Sequence, residues 1–485
     1  MSASAPPSGT TGLPGDGRGA RRVASILLLA YALELAFLVV FRREMMDEGW
    51  YLLAARNVWE GKGLFEFMAF MQGPLVPYVH GISQWIHPGV LSGRVFSATL
   101  ALLGGWATLR LARRIGGPAA EPWAAALLVA SPYFLSHFAM PLTYAPASLF
   151  LVLGALAAVH GRTTGAAVLA WAAQSTRTSL LPAALVLGWL AWRQSPRTRA
   201  DLLRAVTVNA ACVAGVCAAY SVDWNVGFYC AYLAHLPERP HAFPPWSSFA
   251  DTMLLAAPLF LPALAALRER GPLRALVLLM IMLFGMHLLP ATTAAYYQSM
   301  LLPLAAALSA VFLARMRPRV AAALVVALAL MQCRGLLTNH ALVWSDHGPV
   351  ERITPRQRAA ADIRAVVPSE GAKMWTLSPE FAVESGLDVL RGLEMGFFAV
   401  RPDWPRGKCE RYHLVNPAML RDWLVDRVPD VVVVTPLETS ELGGPQGPVL
   451  GALHGRYRAV KRWENVGQFD GPSFLFVRED AAASQ

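Results

Sequence analysis

About eleven apolar runs, near residues 23–41, 91–112, 120–137, 142–159, 164–177, 179–192, 203–222, 249–267, 273–290, 297–314 and 319–335, decide the fold class before any motif is read. A bilayer's hydrocarbon core takes about 20 apolar residues of helix, and a chain that repeats such runs has no water-soluble alternative. The pair around Arg177 falls short of that length. Only 15% of the 485 residues are charged, against about 25% in soluble domains. The expectation is an α-helical polytopic membrane protein with about eleven transmembrane helices and, beyond them, a small C-terminal α/β domain.

Basic residues fix the expected orientation. Arg113/Arg114, Arg162, Arg193/Arg197/Arg199/Arg204, Arg268/Arg270/Arg274 and Arg315/Arg317/Arg319 fall in alternate loops, which the positive-inside rule assigns to the cytoplasm. The net charge of +10 therefore speaks of topology, and no nucleic-acid partner is expected. Residues 1–22 read as a disordered cytoplasmic tail, and Val23 to Phe41 as a retained first helix rather than a cleaved signal. The division that follows is a membrane domain over 23–335, with a first outer loop at 42–90, and an extracytoplasmic domain over 336–485. The Asp223 to Ser247 loop falls on the same outer side.

Within the outer loop, Trp50, Tyr51, Trp59, Phe65, Phe70 and Trp85 fit amphipathic helices lying in the membrane interface. Alternatively, Leu75 to Ile86 forms a further short span, which would invert every later loop. After residue 336, Pro355 to Val367, Pro379 to Ser385 and Ala418 to Arg427 read as helices, while Ala372 to Leu377, Asp430 to Thr435, Tyr457 to Trp463 and Ser473 to Val477 read as strands. The five cysteines have no metal-ligand or redox spacing; Cys230 and Cys409 share the outer side, which leaves a disulfide between them open.

No phosphate-cradling glycine loop, dinucleotide fingerprint or Asp-x-Asp occurs, which argues against a nucleotide-driven machine. The residues suited to a reaction are acids and bases at the outer membrane face. Asp47 and Glu48 stand where an unpaired charge is expensive. Either they cap the helix that follows, or Asp47 takes a proton from an acceptor hydroxyl while Glu48 orients the acceptor. The two could also hold a divalent cation together. Tyr51 and Arg56 follow on the same helix. Arg94 opens the next span, as a phosphate clamp or as a snorkelling interfacial cation. Arg177 interrupts some thirty apolar residues. Tyr296, Tyr297 and Gln298 open the span containing Pro303, where they could meet a phosphate or a sugar or simply anchor the interface.

Asp47-Glu48-Gly49-x-Tyr51-x-x-x-Ala55-Arg56-Asn57, then Gln72-Gly73-Pro74-Leu75, then Arg94 at the head of a span, resembles the polytopic GT-C glycosyltransferases. Within them it is similar to the protein O-mannosyltransferase and lipid A aminoarabinose transferase group. The resemblance implies a bacterial inner-membrane enzyme that moves a sugar from a polyprenyl phosphate to an extracytoplasmic hydroxyl on a lipid, glycan or protein. It further implies Asp47 as general base with Glu48 assisting, and Arg94 and Tyr297 near the donor phosphate; the residues themselves add Arg177 and Arg56 as candidates for that phosphate and Tyr51, Gln72, Tyr296 and Gln298 as candidates for binding the substrate. No cofactor is certain. Many members carry His or Lys and then Pro-Pro where this chain has Gln72-Gly73-Pro74, which leaves the donor sugar open. The competing class is a transporter or lipid flippase using the same outer-face charges.

Overall fold

The computed structural model describes residues 17–196, 198–231, 245–290, 294–345, 348–367, 371–469 and 471–479. Residues 1–16, Arg197, residues 232–244 of the second outer loop, Thr292, Thr293 and Pro368 lie outside them. The chain begins with α1 (Gly17–Phe41), α2 (Met46–Trp59), α3 (Leu64–Phe67), α4 (Leu75–Ile86) and α5 (Val90–Gly116). Every other expected apolar run is also helical, the one near 120–137 being broken into Ala120–Val129 and Pro132–Phe138. Among the described residues, six helices are long and apolar enough to cross a membrane: Arg18–Phe41, α5, Arg199–Ser221, Trp246–Arg268, Ala295–Leu313 and Pro318–Thr338. Thr163–Thr176 and Leu181–Gln194 have 14 residues each, about 21 Å at 1.5 Å per residue, so they meet at Arg177 without either matching the bilayer's thickness.

Burial grades across this bundle. Leu302–Leu313 is buried along its whole length, which its Leu- and Ala-rich sequence allows because no side chain there needs water. Arg199–Ser221 fully buries only Tyr220; one stripe is half-buried, with Asn209 accepting from Trp171 at 2.8 Å, and the remainder is exposed, as on a helix at the rim of a bundle. α4 is inverted relative to a soluble amphipathic helix: it buries His80, Ser83 and Gln84 and exposes Tyr78, Ile82, Trp85 and Ile86. Its 12 residues reach about 18 Å, well short of the bilayer's hydrocarbon thickness. The stacked pair Trp59 and Trp85 and the exposed apolar face suit the headgroup level.

The C-terminal region forms a five-stranded sheet of β1 (Lys373–Trp375), β2 (Asp388–Val389), β3 (Val431–Val434), β4 (Tyr457–Glu464) and β5 (Pro472–Arg478), in the order β2-β1-β3-β5-β4. The first three strands in that order are parallel; β5 runs antiparallel to both β3 and β4. All four valines of β3 are buried, the pattern of a strand covered on both faces. Two-residue β2 and the helices Arg406–Arg411 and Pro436–Glu441 lacked a sequence signal strong enough to expect them. Cys230 and Cys409 are both buried free thiols, so the disulfide is not formed.

This sheet region sits on the end of the bundle where α1 finishes. Arg42 bridges to Leu342, just after the Pro318–Thr338 helix. Arg43 Nε donates to the carbonyl of Gln468, between β4 and β5, at 2.7 Å, and the Met46 amide donates to Gln468 Oε1 at 2.5 Å. Arg356, on the helix Ile353–Val366, forms a buried ion pair with Glu44.

Candidate active site

α2 is the element around which this junction closes. Every residue from Glu48 to Val58 is buried, so it is not the half-exposed interfacial helix expected from its sequence; the sheet region covers the face that water or headgroups would have met. Gly49 makes that cover close. A β-carbon there would lie 2.3 Å from the Glu380 amide nitrogen, so only glycine lets the two backbones touch. Burial pushes the neighbouring Glu380 carboxyl up to about 8, which leaves it uncharged at neutral pH against the helix.

Glu48 and Arg94 take each other. Arg94 Nε donates to Glu48 Oε2 and Nη2 to Oε1, both at 2.7 Å, in the bidentate fork that suits a guanidinium and a carboxylate. Arg94 Nη1 donates to the carbonyls of Val39 and Arg42 at 3.1 and 2.9 Å, and Glu48 Oε1 also accepts from the Met45 amide at 3.1 Å. Burial alone would raise the Glu48 carboxyl, but Arg94 outweighs it and holds it below the usual glutamate range. Arg94 is fully enclosed and each of its three side-chain nitrogens donates within the protein. The phosphate clamp expected of it, and the interfacial snorkelling, are therefore both corrected to a structural ion pair.

Asp47 has different surroundings. Successive residues on a helix point about 100° apart, so it turns away from Glu48 and the two acids do not converge on a cation. Among the described residues, no group of three His, Cys, Asp or Glu side chains could hold a metal. Asp47 is half-buried and accepts from Trp50 Nε1 at 3.1 Å. Burial drives its pKa up to about 6, against the pull of the Trp50 hydrogen bond and of the Arg177 charge, with Glu48 adding to the rise. It is thus a carboxylate at neutral pH that takes a proton readily.

Arg177 approaches Asp47 from the bundle, close enough for its charge to act on the carboxyl. Its Nη1 donates to Thr143 Oγ1 at 3.1 Å, and its guanidinium lies over the rings of Tyr297 and Tyr144, 4.8 and 5.3 Å from their centroids. Such stacking holds the fork rigid while leaving edge N–H groups available. The turn that carries Arg177 is set by Gly73, where a β-carbon would lie 2.2 Å from the Ser175 carbonyl oxygen. Tyr296 stacks on His137 at 4.8 Å and lines a cavity of about 240 Å³ with His137, Arg42, Arg43, Glu44 and Met45. Tyr51 packs on Trp50, with ring centroids 3.9 Å apart, and feels the charges of both Asp47 and Arg177.

The structure therefore brings Asp47, Tyr51, Arg177, Tyr296 and Tyr297 within electrostatic or ring contact of one another. It sends two others elsewhere. Arg56, about 13 Å along the helix from Asp47, donates to the Leu387 carbonyl at 2.7 Å and pairs with Asp388 at 3.0 Å, so it fastens α2 to the sheet region. Gln298 is fully buried and spans the Phe284 carbonyl and His287 Nδ1, both at 3.3 Å; it is part of the wall. Gln72 is half-buried beside Gly73. Trp50, Thr143, Tyr144 and His137 complete the site and were missed in the sequence, where an aromatic inside an apolar run looks like any other core residue.

No protein-family model and no curated protein sequence matches this chain. Solved structures do. The fold is that of the polytopic GT-C membrane proteins, with its helices followed by a small sheet domain. ArnT from Cupriavidus metallidurans bound to undecaprenyl phosphate superposes with a TM-score of 0.64 at 12% identity, over 95% of this chain and 98% of that one. The apo form of the same protein gives 0.65 at 14%, over 94% and 98%. The oligosaccharyltransferase AglB from Archaeoglobus fulgidus aligns at only 0.49, with 12% identity over 90% of this chain and 72% of that one. At these identities the likeness to ArnT is one of fold.

Proposed function

We infer that the protein is an integral membrane glycosyltransferase that moves a sugar from a polyprenyl phosphate to a hydroxyl on an extracytoplasmic lipid, glycan or protein. The observation that carries this is a half-buried carboxylate poised at about 6 within the field of Arg177, a guanidinium caged by two tyrosines. Support comes from a fold shared with ArnT, whose structure holds undecaprenyl phosphate.

The acceptor oxygen attacks the anomeric carbon as its proton passes to Asp47. The bond from that carbon to the phosphate oxygen breaks, its electron pair stays on the phosphate, and Arg177 meets the growing charge. Attack from the face opposite the leaving phosphate inverts the anomeric centre. The glycosidic bond to a lipid phosphate is already activated, so the step needs no nucleotide. Glu48 and Arg94 act on Asp47 only by fixing α2. In this reading the chain lies in the bacterial inner membrane with residues 1–22 cytoplasmic, the bundle over 23–335, and the sheet region over 336–485 on the Asp47 side, outside the cytoplasm.

The test begins with mass spectrometry of lipids and envelope glycans from a deletion strain, which names the missing sugar. Purified protein is then given that lipid-phosphate sugar, and release of polyprenyl phosphate is followed. Asp47→Asn is expected to stop release while the donor still binds; release at the wild-type rate overturns the assignment of the base. Reporter fusions after residue 340 are expected to be active outside the cytoplasm, and cytoplasmic activity overturns the orientation.

A further inference from the structure

At the membrane face opposite Asp47, α1 and α5 close on a hollow of about 600 Å³ lined by Arg18, Arg21, Arg22, Ser25 and Arg113. The two helices are locked together farther in. Tyr31 donates to the Ala101 carbonyl at 3.2 Å, and its ring lies 3.0 Å from where a β-carbon of Gly105 would be. From that contact, roughly 12–14 Å along each helix brings Arg22 and Arg113 to the same level. Among the described residues, the lining holds four guanidinium groups and no carboxylate. Among the described residues, Arg113 is the one of the four with an ion pair, at 3.5 Å to Glu121, whose side chain is only 6% exposed and so orients the arginine from behind.

Topology alone asks only that arginines lie on this side of the bilayer. It does not ask two helices to aim four of them at one hollow. The surface next to the hollow narrows what can sit there. On α1, Arg18 and Arg22 share a helical stripe with Ile26, Leu29 and Leu33, which are 60%, 61% and 64% exposed. On α5, Arg113 shares one with Trp106 and Arg110, whose guanidinium lies 5.3 Å from the Trp106 ring centroid. Each stripe passes from cations to lipid-facing apolar side chains, the profile of a site for an amphiphile. A free anion would use the arginines and leave the stripes without a role.

We propose that this hollow binds the headgroup of an anionic phospholipid, preferring one with two phosphates that α1 and α5 hold between them. Guanidinium forks match phosphate oxygens two at a time, and basic pockets between membrane helices take such headgroups. The acyl chains then lie along Ile26, Leu29 and Leu33. The site is separate from the Asp47 space and stands whether or not the glycosyltransferase assignment does.

The test uses the full-length protein, stripped of lipid in detergent and titrated by native mass spectrometry with diphosphatidylglycerol, phosphatidylglycerol or phosphatidylcholine, and separately with inorganic pyrophosphate. Diphosphatidylglycerol is expected to bind best and to resist displacement by pyrophosphate. The triple variant R21Q/R22Q/R113Q is expected to weaken it roughly tenfold or more, since each arginine near a membrane surface is worth about fivefold. A control triple on the same face, R315Q/R317Q/R319Q, is expected to leave it within about twofold. R21Q alone alters an exposed residue and is expected to give about a fivefold loss, which keeps the answer readable should the triple variant not fold. Equal losses in the two triples mean diffuse surface charge, and full competition by pyrophosphate means a free-anion site. Failure of the wild type to retain any diphosphatidylglycerol means no site; each of the three overturns the proposal.

Discussion

Two acid–arginine combinations meet on the same short helix, and their surroundings are opposite. Glu48 with Arg94 is sealed, bidentate and fully hydrogen-bonded. Asp47 with Arg177 is half-open, and among the described residues the one side-chain donor to Asp47 is an indole. The first combination has used up its capacity to bind anything else. The second leaves both groups half-buried and near enough for the Arg177 charge to act on the acid, the condition under which charge performs chemistry rather than holding structure.

The contrast predicts effects of different kind and size. Arg94→Met strands a buried carboxylate and is expected to cost about 3–5 kcal/mol of stability, read by chemical denaturation; an unchanged midpoint would dissolve the distinction. Asp47→Asn is expected to leave the denaturation midpoint in place and lower transfer by about 10²–10⁴-fold, so a variant that unfolds instead moves Asp47 into the structural class. Arg177→Ala is expected to weaken donor binding about 10- to 100-fold, the size of a charge-assisted hydrogen bond lost, with acceptor KM little changed. If acceptor binding falls instead, Arg177 serves the other substrate. Gly49→Ala pushes on the Glu380 backbone and is expected to cost about 1–3 kcal/mol.

The smallest effect, and the sharpest, is in pH. Asp47 must be ionised to accept a proton, and its pKa is pushed up to about 6. The rate is therefore expected to fall as pH drops through that value, about tenfold per unit well below it, and to level off above. In Asp47→Asn the residual rate is expected to lose that inflection. An inflection that persists in the variant belongs to another group.

Which parts of this were legible in the sequence follows the same division. The apolar runs announced the bundle, because hydropathy is a local property, and the valines of β3 announced a covered strand. Asp47 stood out as an acid at the end of a span, and Arg177 as a charge inside one. What failed was partner assignment. Arg94, Arg56 and Gln298 look like ligand-binding residues in the sequence, since an arginine near a membrane exit reads the same whether its partner is a phosphate or Glu48, 46 positions away. The partner of Arg56, 332 positions on, belongs to a sheet region whose docking surface has no periodic signature. Tyr144 and His137 were invisible for a related reason: they face the site from runs that are apolar on every side.

The contact at Gly49 carries a consequence for how such a chain can change. Backbone meets backbone there, so no repacking of side chains can absorb a shift between the sheet and the helix beneath it. Exchanging the sheet for that of a distant relative would transmit any misfit straight to the acid two residues away. The terminal region and the first outer loop must therefore be inherited, or engineered, as a single graft.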